Sequence, residues 1–133
     1  MDKGWIMTAA LRETYQMPAP GFVLAKAALA VADRLGLTAR AFARIVGVSE
    51  PTVSRMKRGD LGLEAGSKPY ELAALLVRAF RSLDAITGGD ERVARAWVQA
   101  DNLALGGVPL AMMSSVQGLC DVVSYLDARR APL

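Results

Sequence analysis

The sequence predicts an all-α protein, a helix-turn-helix domain followed by a small helical domain. Three observations carry that reading. Alanine and leucine dominate, β-branched runs are few and aromatics make up only 6%, a composition that favours helices. Apolar residues recur at three- and four-residue spacing in several stretches, which is the period of one helix face. Residues Thr38 to Arg58 read as two short helices joined by a tight turn, the second tipped in polar and basic groups. With 133 residues and 53% hydrophobic content, the chain can build one compact domain or two very small ones around a real core.

The elements follow in order. Residues 1–21 form an N-terminal arm ending in the proline-rich break Met17-Pro-Ala-Pro-Gly21. Residues 1–20 are expected to be poorly ordered or a short separate helix, with Trp5, Ile6 and Met7 able to dock elsewhere. A first helix over about 22–36 carries the stripe Leu24, Ala27, Ala28, Val31 and Leu35. Gly36 ends it, and Thr38 caps the next helix.

In the helix-turn-helix, Ala43 is small where the two helices must cross. Gly47 sits where the chain leaves the first helix, and glycine most easily takes the left-handed conformation of a C-cap. Val48 and Val53 bracket the turn and can bury against Phe42, Val46 and Met56. Ser49 is a good N-cap, and Pro51 is tolerated in a first turn whose N–H groups have no intrahelical partner. The outward positions left over are Glu50, Thr52, Ser54, Arg55, Lys57 and Arg58.

A glycine-rich loop, 59–66, follows. Ser67 then caps a long helix with the stripe Leu72, Leu75, Leu76, Ala79, Phe80, Leu83 and Ile86. Gly88-Gly89 closes it, which divides the chain into a DNA-binding domain over 22–88 and a second helical domain over 89–133. Asp90 caps a helix carrying Val93, Ala96, Trp97 and Ala100. A loop with Gly106-Gly107 leads to Pro109, which can start a helical turn. Ser114 or Ser115 caps a last helix with Leu119, Val122, Val123 and Leu126 on one face.

Charge is placed unevenly. Residues 1–66 hold nine basic and six acidic groups, and residues 67–133 hold seven of each; within 38–58 there are five basic groups and one acidic. Positive charge is thus concentrated on the proposed reading unit, as phosphate binding requires. Arg55 is best placed for a bidentate guanine contact. Glu50, Thr52 and Ser54 can read neighbouring bases or phosphate, and Lys57, Arg58 and Lys68 serve as backbone clamps. Such modules bind palindromic or repeated half-sites as homodimers. The competing structural reading is an αα-corner in a plain bundle; the mutually consistent spacing of Ala43, Gly47 and Val53, with a basic outer face, favours DNA binding.

One cysteine and no histidine exclude an internal disulfide, a histidine general base and a zinc site of the usual kind. Cys120 lies in an apolar helical stretch and is expected to be buried and structural. No phosphate-cradling glycine motif opens a helix at the needed spacing, so neither catalysis nor a cofactor is expected. No apolar run is long enough to cross a membrane, no secretory leader is recognisable at the start, and a reducing, cytoplasmic setting is expected.

The helix-turn-helix resembles that of Xre/Cro-like repressors. Farther on, Ala94-Arg-Ala-Trp97, Asp101-Asn-Leu-Ala-Leu-Gly-Gly-Val-Pro109 and Gly118-Leu-Cys-Asp-Val-Val-Ser-Tyr-Leu126 together resemble the toxin-binding domain of the Xre/MbcA/ParS antitoxins, in the same order over roughly 22–130. The resemblance implies a type II toxin–antitoxin system. Its toxin would be a RES-domain protein that consumes NAD or transfers ADP-ribose, covered at its active-site entrance by the C-terminal domain, and the chain would repress its own operon. The implied toxin-binding residues are Trp97, Asn102, Gly107, Pro109, Gly118, Arg129 and Arg130. Several have a plainer reading: Trp97 as a core anchor, the Gly106–Pro109 stretch as an interhelical loop, and Arg129 and Arg130 as complements of the helix dipole rather than groups entering an anionic pocket. The chain ends soon after that helix, at Arg129-Arg-Ala-Pro-Leu133. The rival function is a free-standing Xre-family repressor whose second half dimerises or senses a ligand.

Overall fold

A computed structural model describes residues 19–131; the expectations for Trp5, Ile6, Met7 and the rest of 1–18 lie outside them. Seven helices form among the described residues: α1 Pro20–Leu35, α2 Ala39–Val46, α3 Glu50–Lys57, α4 Lys68–Ile86, α5 Glu91–Gln99, α6 Pro109–Met112 and α7 Val116–Arg130. The all-α expectation holds. The one extended pairing among the described residues is an isolated antiparallel bridge between Asn102 and Gly107. No helix there is long and apolar enough to cross a membrane.

Helix starts follow local chemistry. Thr38, Ser49, Ser67, Asp90 and Ser115 each accept a hydrogen bond from a first-turn backbone N–H, which satisfies donors that have no intrahelical partner. Ser115, not Ser114, caps α7. α1 starts inside the expected arm, at Pro20, because proline's fixed φ suits a first helical position.

One continuous apolar core runs from Ala25 to Leu126. α4 is its spine. It buries Leu72, Ala73, Leu76, Ala79, Phe80 and Leu83, and packs against α1, α2 and α7. α7 contributes Leu119, Val122, Val123 and Leu126, all four of the residues its spacing predicts. Fully burying a large apolar side chain contributes about 1.5–3 kcal/mol, so this core dominates the stability.

Several expectations are corrected. α1 buries Ala25 and Ala32 besides Ala28, Val31 and Leu35, while Leu24 and Ala27 are only half-buried. Ile86 is exposed at the end of α4, beyond the reach of the core. On α5 the expected stripe is rotated: Val93, Ala96 and Ala100 face outward, whereas Ala94 and Val98 are buried. Arg95 fits that rotation: its Nε donates to the Arg34 carbonyl and its Nη2 to the Asp33 carbonyl, both at 2.9 Å. A cation on the last carbonyls of α1 also complements that helix's dipole. Cys120 is half-buried rather than buried, because the core-facing side of α7 belongs to its neighbours Leu119 and Val122.

Candidate DNA-reading and partner-binding surfaces

The α2–turn–α3 unit is built by its own caps. Thr38 Oγ1 accepts from the Ala41 N–H at 3.0 Å. Gly47 turns the chain at φ 81°, a conformation that L side chains resist, and its N–H closes on the Ala43 carbonyl at 2.8 Å. Ser49 Oγ then accepts from the Thr52 N–H at 3.2 Å. Phe42, Ala43, Ile45, Val46, Val53 and Met56 are buried and Val48 half-buried, so the two helices are locked onto α4 and α1.

This leaves a defined outer face on α3. Glu50, Ser54, Arg55 and Arg58 are exposed, with Pro51 among them; by helical geometry Ser54, Arg55 and Arg58 lie opposite Val53 and Met56. Arg55 makes no ion pair with a described residue, whereas Arg58 Nε meets Asp60 Oδ2 at 3.2 Å. Thr52 is half-buried and its hydroxyl shares a 2.8 Å hydrogen bond with Ser49 Oγ, so it serves the cap. Lys57 is at the edge of the face, bordering a groove with Leu29 and Asp33 of α1. Lys68 stands apart on α4, 3.1 Å from Glu71 Oε2. Exposed pairs of this kind contribute little, and the cations remain free to exchange partners.

The second surface is organised by the loop between α5 and α6. Asn102 is its keystone. Its N–H donates to the Gly107 carbonyl at 2.9 Å and its own carbonyl accepts from Gly106 N–H at 2.8 Å. Its side-chain Oδ1 accepts from the Leu105 N–H at 3.1 Å. The loop so fixed carries Leu103 with 96% of its surface in solvent. Pro109 is buried at the start of α6. Gly118 is buried against it: a Cβ there would collide with the Met112 carbonyl oxygen.

Trp97 is half-buried and lines the small apolar cavity at the core with Leu35, Phe80 and Met113. Its ring stacks on Tyr125, with centroids 6.2 Å apart and planes 19° from parallel, and the Arg129 guanidinium lies over the Tyr125 ring at 4.8 Å. Arg130 is exposed at the end of α7. Among the residues proposed from the sequence, Asn102, Gly107, Pro109 and Gly118 thus converge on one loop and its anchor, while Trp97 and Arg129 meet through Tyr125. Leu103 and Tyr125 are not among the residues proposed from the sequence, although an apolar residue beside the loop's asparagine, and an aromatic four residues before Arg129, are both legible there. No group of three potential metal ligands occurs among the described residues.

Comparison with protein families gives two adjoining matches. Residues 19–83 match the antitoxin Xre-like helix-turn-helix domain. Residues 82–131 match the antitoxin Xre/MbcA/ParS C-terminal toxin-binding domain. Comparison with curated proteins gave no match.

Proposed function

The chain belongs to the Xre/MbcA/ParS-type antitoxins, and from that premise we propose that it neutralises a RES-domain toxin while repressing its own operon. The toxin consumes NAD or transfers ADP-ribose from it, and the C-terminal segment covers the entrance to its active site. DNA is read by α3, with Arg55 at a base edge and Glu50, Ser54 and Arg58 on neighbouring groups. Two copies act on repeated or palindromic half-sites, in the cytoplasm.

One observation carries the partner-binding half of this reading: a leucine almost wholly in solvent, Leu103, on a loop whose backbone is fixed by Asn102. An exposed apolar side chain on a preorganised loop loses little entropy when a partner covers it. The test is co-expression with the product of a neighbouring RES-type gene. The chain should restore growth and co-purify with that protein. A chain that did neither, while still binding DNA, would be a free-standing repressor.

A further inference from the structure

Arg40 and Arg44 stand one turn apart on α2. Both are exposed, and neither forms an ion pair with a described residue. Like charges at this spacing repel each other, and an anion lying between or across them would relieve that repulsion. They line a cleft of about 650 Å³ whose opposite wall includes Gln99, Leu110, Ala111 and Ser114, and no carboxylate lines it. One wall is therefore the helix-turn-helix, and the other is the end of α5 and the α6 turn.

We propose that this cleft holds a stretch of DNA phosphodiester backbone, which makes the α6 wall of the toxin-binding segment part of the DNA interface. The proposal rests on the reading of α3 as the recognition helix. When a recognition helix enters the major groove, the helix before it crosses the strand backbone, and α2 is that helix. Arginine supplies charge and a planar fork of donors for phosphate oxygens. Gln99 and Ser114 add the neutral amide and hydroxyl donors that commonly accompany phosphate contacts. An acidic protein segment would also suit two arginines, but it gives no reason for their place on the helix that leads into α3. A protein seated on α6 meets the same strand, so partner binding and DNA binding are coupled, and the coupling is reciprocal.

The experiment is a fluorescence-anisotropy titration of the full chain across a salt series. One duplex carries the DNA upstream of the chain's own gene, and a second has the same bases scrambled. Each phosphate contact contributes about 0.9 to the slope of log K against log salt. The double variant Arg40→Gln/Arg44→Gln should therefore flatten the slope by about 1.8 on both duplexes and weaken binding roughly tenfold or more in low salt. Ala111→Glu, on the other wall and part of neither α2 nor α3, should also weaken both duplexes about tenfold by repelling the strand; Ser114→Asp is the second variant if Ala111→Glu lowers the melting temperature.

An unchanged slope in the arginine variant overturns the proposal, as does wild-type affinity in both wall variants. If the arginine variant keeps its DNA binding but loses co-purification with the toxin, the cleft holds an acidic protein segment instead. A wild-type chain that binds neither duplex overturns the recognition-helix reading itself, and this inference with it.

Discussion

Ser82, with no surface in solvent, donates a 2.9 Å hydrogen bond to Asp127 Oδ1 across the α4–α7 interface. The other carboxylate oxygen, Oδ2, meets the Arg78 guanidinium at 2.6 Å. The half-buried carboxylate of α7 is thus held by two groups one turn apart on α4, and it pins the last helix in register along the spine of the core.

Removing that carboxylate leaves a buried hydroxyl without its acceptor. Asp127→Ala should lower unfolding stability by about 1–3 kcal/mol, read as a fall in urea midpoint at unchanged m value. Asp127→Asn keeps an acceptor for Ser82 and loses only the interaction with an exposed arginine, so it should cost clearly less. Equal losses in the two variants would mean that the charge, not the buried hydroxyl, governs the site.

Gly118 is the close-approach point between α6 and α7. Gly118→Ala should force the two apart, destabilising the fold by about 1–3 kcal/mol. Because the backbone there is helical, the cost comes from collision and not from conformational strain. A melting temperature equal to wild type would show that the α6 turn shifts freely.

Arg55 projects from mid-helix with no described acidic partner. Arg55→Ala should weaken binding to the upstream DNA by roughly 1–3 kcal/mol and relax specificity at one base position. A gel-shift titration with single-base variants of the duplex measures both. Wild-type affinity would remove α3 from the base-reading role.

Leu103 touches almost nothing within its own chain. Leu103→Asp should change folding stability by less than about 0.5 kcal/mol yet weaken toxin capture by at least about 1 kcal/mol, and more if the loop tip is a central anchor. Isothermal titration against the toxin and thermal melting of the free chain separate the two effects. A matching loss in both would make Leu103 a folding residue.

Helix positions and ends were legible where the signal lies within a few residues. The caps at Thr38, Ser49, Ser67 and Asp90, the Gly47 turn and the stripe Leu119, Val122, Val123, Leu126 all depend on neighbours three or four positions away. The orientation of α5 was not legible. Apolar residues at 93, 94, 96, 97, 98 and 100 allow two overlapping stripes, and packing on α1, α4 and α6, together with the bonds from Arg95 to the end of α1, chooses between them. In α1, alanines on nearly every side similarly blur which face is buried. The loop keystone is half-legible: the resemblance points to Asn102, but not to its hold on Leu105, Gly106 and Gly107.

By itself, the sequence determined the helical class, the capped α2–turn–α3 unit and its basic outer face, because each is set by contacts short along the chain. Only the tertiary structure decided which face of α5 is buried, how α7 is registered on α4, and that Arg40 and Arg44 share a cleft with α6. Those outcomes rest on partners far apart in sequence, 45 positions for Ser82 and Asp127 and 61 for Arg34 and Arg95. At such separations no local spacing encodes the pairing; it emerges when one continuous core brings the helices together.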